Sequence, residues 1–233
     1  MSGEQHSVAV LDNGYLTIVE TWGSDKRIIE AARMSTDKGF LGWGTDERPG
    51  DEKLLAYLWK HKHSTPFEMA GAIIEVQAPI MVFREWMRHR TQSYSELSAR
   101  YTQMPNLHYL PDPERVRAQS KANKQGTAAT ALDPTVVDEF LRRIAQEQAY
   151  IYETYAWALE HGISREVARL NTPVSRYSRM RASANLLNWL RFLSLRQAPG
   201  AQEEIRRYAN ALATGLRSAF PRTMACFDTT GGI

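Results

Sequence analysis

A strongly apolar segment, residues 70–87, leads directly into a short polar stretch, residues 88–101, that contains three arginines, a histidine and a glutamate. The composition of Ala70 to Gln77 predicts a buried strand, and Pro79 is suited to the first position of a following helix. That helix carries Phe83 and Trp86 towards the polar stretch. A buried strand and helix here require a substantial core, and 233 residues with 43% hydrophobic content are enough to form one.

The polar stretch has the chemistry of a phosphate site. Arg88, Arg90 and Arg100 offer guanidinium forks that match two phosphate oxygens at a time. Ser93 and Ser98 can donate hydroxyl hydrogens, and neighbouring backbone N–H groups can complete an anion-binding concavity. The competing interpretation is a solvated charged turn, which is what most arginine clusters are.

The same stretch resembles a signature of the flavin-dependent thymidylate synthases, the pattern R-H-R-x-x-S-x-N-E-x-S-x-R-Y. Every fixed position is met except one, since Ser95 stands where the family has Asn. Other elements that resemble the family, in the same order along the chain, are His63 to Met69, Ala78 to Ile80, Arg84 to Trp86, Arg165 to Arg169 and Asn185 to Arg196. The resemblance runs from Ala31 to Ile205 and therefore covers nearly the whole chain.

The resemblance implies a reductive methylation. Family members bind FAD and a uridylate nucleotide, use NADPH and methylenetetrahydrofolate as co-substrates, and transfer a methyl group to C5 of uracil. In the family an arginine favours ionisation at N3 of the ring, because its positive charge stabilises the negative charge that spreads over the ring. Arg196 matches that arginine and is the expected catalytic residue.

The resemblance also implies the residues of the site. Those expected to bind the nucleotide are Glu85, Arg88, Glu96, Ser98, Ala99, Arg100, Arg169 and Arg196. Those expected to bind the flavin are Ser35, His63, Thr65, Arg88, His89, Arg90, Ser95, Glu96, Asn185, Leu187 and Arg191. No metal site is implied. The implied fold is an α/β arrangement of the α+β type, a central sheet with several long helices in one domain, residues 1–233, and the implied assembly is a homotetramer with shared active sites.

Several positions near the expected ligands depart from the family pattern. Besides Ser95, Glu85 replaces the usual Gln, Arg191 replaces an uncharged residue or His, and Gly200 replaces a common His. Residues 171–178 read Asn-Thr-Pro-Val-Ser-Arg-Tyr-Ser instead of a segment with the usual Leu-Pro-Leu-Asn-x-Tyr-Thr. Because the changes cluster around the ligands while the central motif is retained, they predict altered substrate choice. Relatives that methylate UMP in nucleoside-antibiotic biosynthesis are a variant of the same chemistry.

Two of these departures bear on the sugar of the nucleotide. Ser95 is shorter than Asn and Glu85 offers a carboxylate acceptor, so a 2′-hydroxyl would find both space and a partner. The opposing interpretation of Glu85 is structural, because a carboxylate near the phosphate repels it unless Arg88 or Arg100 neutralises the charge. The sequence therefore favours acceptance of UMP and leaves its preference over dUMP open.

Composition excludes several other classes of protein. A single cysteine, Cys226, excludes an internal disulfide and a cysteine-based metal site and favours a reducing compartment. It lies near a C-terminus expected to be frayed, without an activating context, so it is not an expected nucleophile. No apolar run is long enough for a signal peptide or a membrane span, which makes the cytoplasm the expected location. A net charge of only +3, with a pI of about 9.0, favours small anionic ligands over nucleic acid.

Other cofactor and metal motifs are missing from the sequence. His61 and His63 have no third ligand nearby, which argues against a zinc site. Neither a Rossmann glycine turn nor a Walker loop occurs, so a dinucleotide would bind by another route. The alternative from another class is a non-catalytic phosphate or nucleic-acid binding module whose arginines only clamp phosphates. It predicts salt-dependent binding to polynucleotides and no bound chromophore.

Local signals predict further secondary structure. A hairpin is predicted from Val8 to Val10 and Tyr15 to Trp22, with helices capped by Ser24 and Asp51 and a loop from Lys38 to Gly50. Ser120 to Asp133 is predicted to be a polar excursion, followed by a long helix from Pro134 to about Glu160. Its candidate core positions are Phe140, Ile144, Ile151, Tyr155 and Leu159, and two more helices are predicted over about Ser183 to Arg196 and Pro199 to Phe220.

Overall fold

The N-terminal hairpin forms as predicted. In the computed structural model, which describes residues 7–45, 48–230 and 232, β1 (Ser7–Val10) pairs antiparallel with β2 (Gly14–Trp22). The register places Val10 opposite Gly14, so the Asp12-Asn13-Gly14 signal lies at the turn. A Cβ atom at Gly14 would lie 2.0 Å from the Tyr208 hydroxyl, so this turn requires glycine.

One five-stranded antiparallel sheet organises the described chain. Its remaining strands are β3 (Gly71–Pro79), β4 (Ser93–Glu96) and β7 (Tyr177–Asn185), while β5 (Arg117–Gln119) and β6 (Thr127–Ala131) form a separate hairpin. The strand order in the large sheet is β1-β2-β3-β7-β4. Strand β3 confirms the predicted buried strand, although Pro79 ends the strand and the helix begins one residue later.

Strands β4 and β7 correct the sequence interpretation. Residues 183–185, predicted to begin a helix, continue β7 instead, and part of the polar stretch forms β4. The reason is non-local, because β7 lies between β3 and β4 and buries the small side chains of Ala182 and Ala184. The polar excursion, residues 120–133, likewise contains a strand, β6, which pairs with β5 just before it.

The helices are α1 (Asp25–Arg33), α2 (Glu52–Lys60), α3 (Ile80–Trp86), α4 (Pro134–Glu160), α5 (Arg165–Ala168), α6 (Leu186–Arg196), α7 (Glu203–Ala219) and α8 (Pro221–Thr230). The Ser24 cap of α1 is confirmed, because its hydroxyl accepts the Arg27 N–H. Asp51 precedes α2 but makes no capping bond; its carboxylate accepts from Arg33 and from the Leu41 N–H instead. Helix α8 shows that the C-terminal region around Cys226 is helical, not frayed.

Helix α4 has the predicted bounds but a different buried face. Of the five proposed core positions only Tyr155 is buried, and Phe140 is 43% exposed. The other buried positions are Val137, Gln148 and Ala158. The helix packs on α5 and on the connecting segments around residues 113–115 and 169–171 instead of on the large sheet. Little of its surface is therefore covered within one chain.

The core lies on one face of the sheet. Ile74, Val76 and Met180 point from β3 and β7 into a layer formed by α6 and α7. Burying large apolar side chains of this kind contributes about 1.5–3 kcal/mol each. The Trp189 indole N–H also donates to the Ala72 carbonyl at 3.0 Å, which anchors α6 on β3. No helix among the described residues is long and apolar enough to cross a membrane.

Candidate functional site

A rigid turn between α3 and β4 displays the first arginines of the motif. The Tyr94 hydroxyl donates to the carbonyls of Trp86 and His89, at 3.1 and 2.7 Å. The Trp86 indole N–H donates to the Gln92 side chain at 3.1 Å in the core. Arg88 and Arg90 project towards solvent from this fixed backbone. They are therefore placed to meet an anion that approaches from outside the chain.

Arg196, the expected catalytic residue, lies at the end of α6 against this turn. Its Nε donates to His89 Nε2 at 3.0 Å, and its two terminal nitrogens donate to the Glu85 carboxylate and the Glu85 carbonyl, each at 3.0 Å. The Arg196 side chain is 14% exposed. These contacts fix the orientation of the guanidinium and leave part of its donor capacity for a ligand.

The structure gives Glu85 a partner other than Arg88 or Arg100, the two arginines that the sequence offered as possible counter-charges. Arg196 pairs with it, while Arg88 is exposed and Arg100 pairs with Glu166 at 3.3 Å. The Glu85 carboxylate therefore lies beside the proposed catalytic cation, where it reduces the positive field that the cation presents to a ligand.

His89 is a neutral acceptor in this cluster. Burial and the adjacent positive charge of Arg196 lower the pKa of His89 from its ordinary value of 6.5 to about 4. A neutral Nε2 is what the Arg196 Nε–H bond requires, so the proton of the ring belongs on Nδ1.

This low pKa predicts acid sensitivity. Between pH 6.5 and 4 the unfolded chain protonates His89 and the folded chain does not, so the free energy of unfolding falls as the pH falls through that window. His89→Gln keeps an acceptor for Arg196 and removes the titration. Urea unfolding at about pH 7.5 and about pH 5 should show a smaller pH difference in this variant than in the unaltered protein. The exposed-histidine variant His61→Gln should keep the full difference; equal pH dependence in all three proteins would contradict the assignment.

A cavity of about 730 Å³ brings together four of the residues expected to bind the nucleotide. Glu96, Ser98, Ala99 and Arg169 line it, where the end of β4 faces the segment between α5 and β7. The Ser178 hydroxyl donates to the Glu96 carboxylate at 2.7 Å across the same wall. Arg100 adjoins the cavity through its ion pair with Glu166, another lining residue. Glu85, Arg88 and Arg196 do not line this cavity.

The residues expected to bind the flavin fall into two groups. Thr65 lies in the turn Thr65–Met69, which packs against α1 and the start of α6, where Asn185 is located. His89 and Arg90 lie at the other end of α6, which is about 15 Å away for a helix of this length. Asn185 uses its side-chain oxygen to cap α6, and the Leu187 side chain is in the core, so neither offers its whole side chain to a ligand.

The other expected flavin residues are exposed. Ser35 lies in the turn after α1 and donates to the Ala32 carbonyl at 3.0 Å. His63 follows α2, with its ring near Tyr57. Arg191 lies in the middle of α6, and Ser95 is on β4 opposite Arg181. Among the described residues no three His, Cys, Asp or Glu side chains are placed to hold a metal ion.

Sequence reasoning missed the supports of the site. Tyr94 and Gln92 occupy unspecified positions of the motif, so the pattern gives no sign that they fix the turn. Arg176 is not assigned by the sequence either, although it is buried in the cavity wall. The available signal was that Arg176 places a charge at the unspecified position of the family pattern Leu-Pro-Leu-Asn-x-Tyr-Thr.

The chain is similar in sequence to proteins of one known family. Residues 17–222 match the sequence profile of the family described as "Thymidylate synthase complementing protein". A flavin-dependent thymidylate synthase of Anaplasma marginale is 38% identical over 218 residues, which span 94% of this chain and 73% of the relative. Another, from Thermus thermophilus, is 39% identical over 222 residues, spanning 95% of this chain and 78% of the relative.

Solved structures show the same fold. The UMP/dUMP methylase PolB from Streptomyces cacaoi, bound with 5-Br UMP, matches with a TM-score of 0.83 and 31% identity, over 96% of this chain and 98% of that one. The same enzyme bound with 5-Br dUMP gives 0.81 and 29%, over 95% and 97%. The expected fold class, helices on a central sheet, is confirmed.

Proposed function

The chain belongs to the flavin-dependent thymidylate synthase family, and on that premise we propose that it methylates C5 of a uracil nucleotide. The cavity beside β7 carries the proposal, because the motif residues Ser98, Ala99 and Arg169 all line it. Hydroxyl, backbone and guanidinium donors suit a nucleotide phosphate. Arg196, fixed by His89 and Glu85, supplies the charge that favours ionisation of the uracil ring.

Incubation with dUMP or UMP, methylenetetrahydrofolate and NADPH tests the reaction. Mass analysis should find nucleotide heavier by one methyl group only when all components are present. We propose methylenetetrahydrofolate as the one-carbon donor and NADPH as the reductant. Binding of polynucleotides with strong salt dependence, no chromophore and no methylated product would instead favour a phosphate-clamping module.

We propose that the flavin is FAD. The guanidinium groups of Arg88 and Arg90 stand on a turn held by Tyr94, which fits the charge-assisted donors that a diphosphate needs. Thr65, His63 and Asn185 offer polar groups at the other end of α6. When bound, the flavin supplies the redox and one-carbon chemistry, and the protein supplies orientation and charge.

Arg90→Ala should weaken flavin retention. Removing a charge-assisted donor to the diphosphate costs about 1.5–3 kcal/mol per hydrogen bond. Fluorescence titration of flavin-free protein with FAD measures the change, and Arg143→Ala, on the exposed face of α4, is the matched control. Equal FAD affinity in both variants would remove Arg90 from the flavin site.

We propose that UMP is accepted as well as dUMP. Arg196 engages one oxygen of the Glu85 carboxylate, and a carboxylate has a second oxygen that can accept a 2′-hydroxyl. The relative PolB, named as a UMP/dUMP methylase, is similar to this chain over nearly its whole length. A place in nucleoside-antibiotic biosynthesis is a further proposal.

Competition between the two nucleotides measures the preference. A hydrogen bond from the 2′-hydroxyl to Glu85 would contribute about 1.5–3 kcal/mol, which shifts selectivity towards UMP by one to two decades. Glu85→Gln should reduce that selectivity and Ser95→Asn should reduce the space for the hydroxyl. Turnover of dUMP with none of UMP would leave a thymidylate synthase with an altered pocket.

We propose a homotetramer of single-domain chains in the cytoplasm, with active sites shared between subunits. The flavin residues are split along α6, and aromatic side chains on α4 are uncovered, with Tyr150 71% and Trp157 55% exposed. Partner chains would complete the site and cover these rings. Light scattering gives the mass of the assembly. Recovery of activity on mixing Arg196→Ala and Arg90→Ala chains would indicate shared sites.

A further inference from the structure

Arg176 is a buried cation in the wall of the nucleotide cavity. It is 4% exposed, and its backbone is fixed immediately before β7. Its carbonyl accepts the Ile80 N–H at 2.9 Å and its own N–H donates to the Pro173 carbonyl at 3.1 Å. These backbone bonds hold Arg176 at the junction between β7 and α3, where its side chain is buried in the cavity wall.

The Arg176 guanidinium has no counter-charge in the described part of the chain. Its buried Nε has no hydrogen-bond partner, and a terminal nitrogen contacts the Met104 sulfur, which is a weak acceptor. Burial lowers the pKa of Arg176 to about 10, and only the hydroxyls of Tyr152 and Tyr155 oppose that effect. Buried charges in proteins are normally paired, so this arrangement is costly unless a ligand completes it.

The carboxylates of the cavity are already engaged. Glu96 accepts from Ser178, and Glu166 pairs with Arg100. The other polar groups of the wall include the Ser98 hydroxyl and the Arg169 guanidinium, both able to donate. The cavity thus has an excess of donors and a positive charge without a partner, which is the complement of an anion.

We propose that Arg176 is a specificity-determining residue that binds an anionic oxygen of the nucleotide phosphate, which supplies the counter-charge that the protein lacks. This inference rests on the proposed function and extends it to a position that the family pattern leaves unspecified. It separates nucleotides from nucleosides, because a ligand without the phosphate leaves the buried cation unpaired.

Arg176→Met tests the inference, since methionine has similar length and no charge. The ligand-free variant should unfold at the same or a higher temperature, because an unpaired buried cation is removed. Its dissociation constant for UMP, measured by calorimetry, should rise at least about tenfold, while weak binding of uridine stays unchanged. Stabilisation by inorganic phosphate should be reduced in the same variant. The matched control, Arg179→Met, removes an exposed arginine of β7 outside the cavity and should leave the dissociation constants for UMP and uridine unchanged.

Each outcome decides between the two claims. Unaltered protein that binds UMP, together with an Arg176→Met variant that binds it equally well, overturns the inference and leaves the proposed function standing. A less stable variant with unchanged UMP affinity also overturns it, because Arg176 is then structural. Failure of the unaltered protein to bind either UMP or dUMP overturns the proposed function and the inference with it. If the methionine variant does not fold, Arg176→Gln and Arg176→Lys replace it, and only the lysine variant should keep binding within a few-fold.

Discussion

Arg196→Ala should reduce methyl transfer at least about a hundredfold, the scale seen when one electrostatic stabiliser of a transition state is removed. The guanidinium is held by two fixed partners, Glu85 and His89, and its loss leaves the Glu85 carboxylate without a counter-ion. The uracil ring then loses a stabilising positive charge and faces the unpaired carboxylate, which disfavours the ionised ring. Since the interaction grows in the transition state, kcat and kcat/KM should fall together.

Three measurements separate this role from a structural one. Circular dichroism and flavin content of Arg196→Ala should remain near those of the unaltered protein. The ultraviolet spectrum of bound 5-fluoro-UMP reports ionisation at N3, and the ionised fraction should fall in the variant. Cys226→Ser, which alters a half-buried thiol on α8, should retain activity. Near-normal turnover of Arg196→Ala would assign the activating charge to a different arginine.

Local signals predicted the elements that depend on neighbours in sequence. The N-terminal hairpin follows from a turn that needs glycine, and α4 follows from the Asp133 cap and from Gly162, whose φ of +79° ends the helix. These local signals do not predict which side chains are buried or which strands pair. Phe140 has the spacing of a core residue, yet α4 lies away from the sheet and leaves it exposed. Strand β7 was missed because two of its buried alternating positions, Ala182 and Ala184, carry small side chains that are uncommon in strands, and its place depends on pairing with β3.

In the candidate site too, the sequence predicts residue types but not the contacts between distant segments. The motif predicts the residue types, and Ser98, Ala99 and Arg169 line one cavity in the structure. The ion pair between Glu85 and Arg196 could not be predicted from the sequence. The two residues are 111 positions apart and meet only because α6 packs against α3. The burial of Arg176 could not be predicted from the sequence either, because the cavity that it lines forms from three separate segments of the chain.

Asp25→Ala should destabilise the fold by about 3–5 kcal/mol, because it leaves several buried donors without an acceptor. The Asp25 carboxylate is 5% exposed and accepts from the N–H groups of Arg222 and Thr223, at 2.9 and 3.1 Å, and from the Thr223 hydroxyl at 2.6 Å. It therefore caps α8 from another element, and its negative charge faces the positive end of that helix.

The consequence of Asp25→Ala should extend to the flavin region. Helix α8 packs on α2, where the Trp59 ring contacts Phe67 of the turn that carries Thr65. Urea unfolding gives the loss of stability, and a parallel FAD titration should show weaker binding near the unfolding midpoint. Glu153→Ala, which removes an exposed carboxylate from α4, should change stability little. A loss below about 1 kcal/mol for Asp25→Ala would mean that water replaces the carboxylate and that α8 does not depend on this cap.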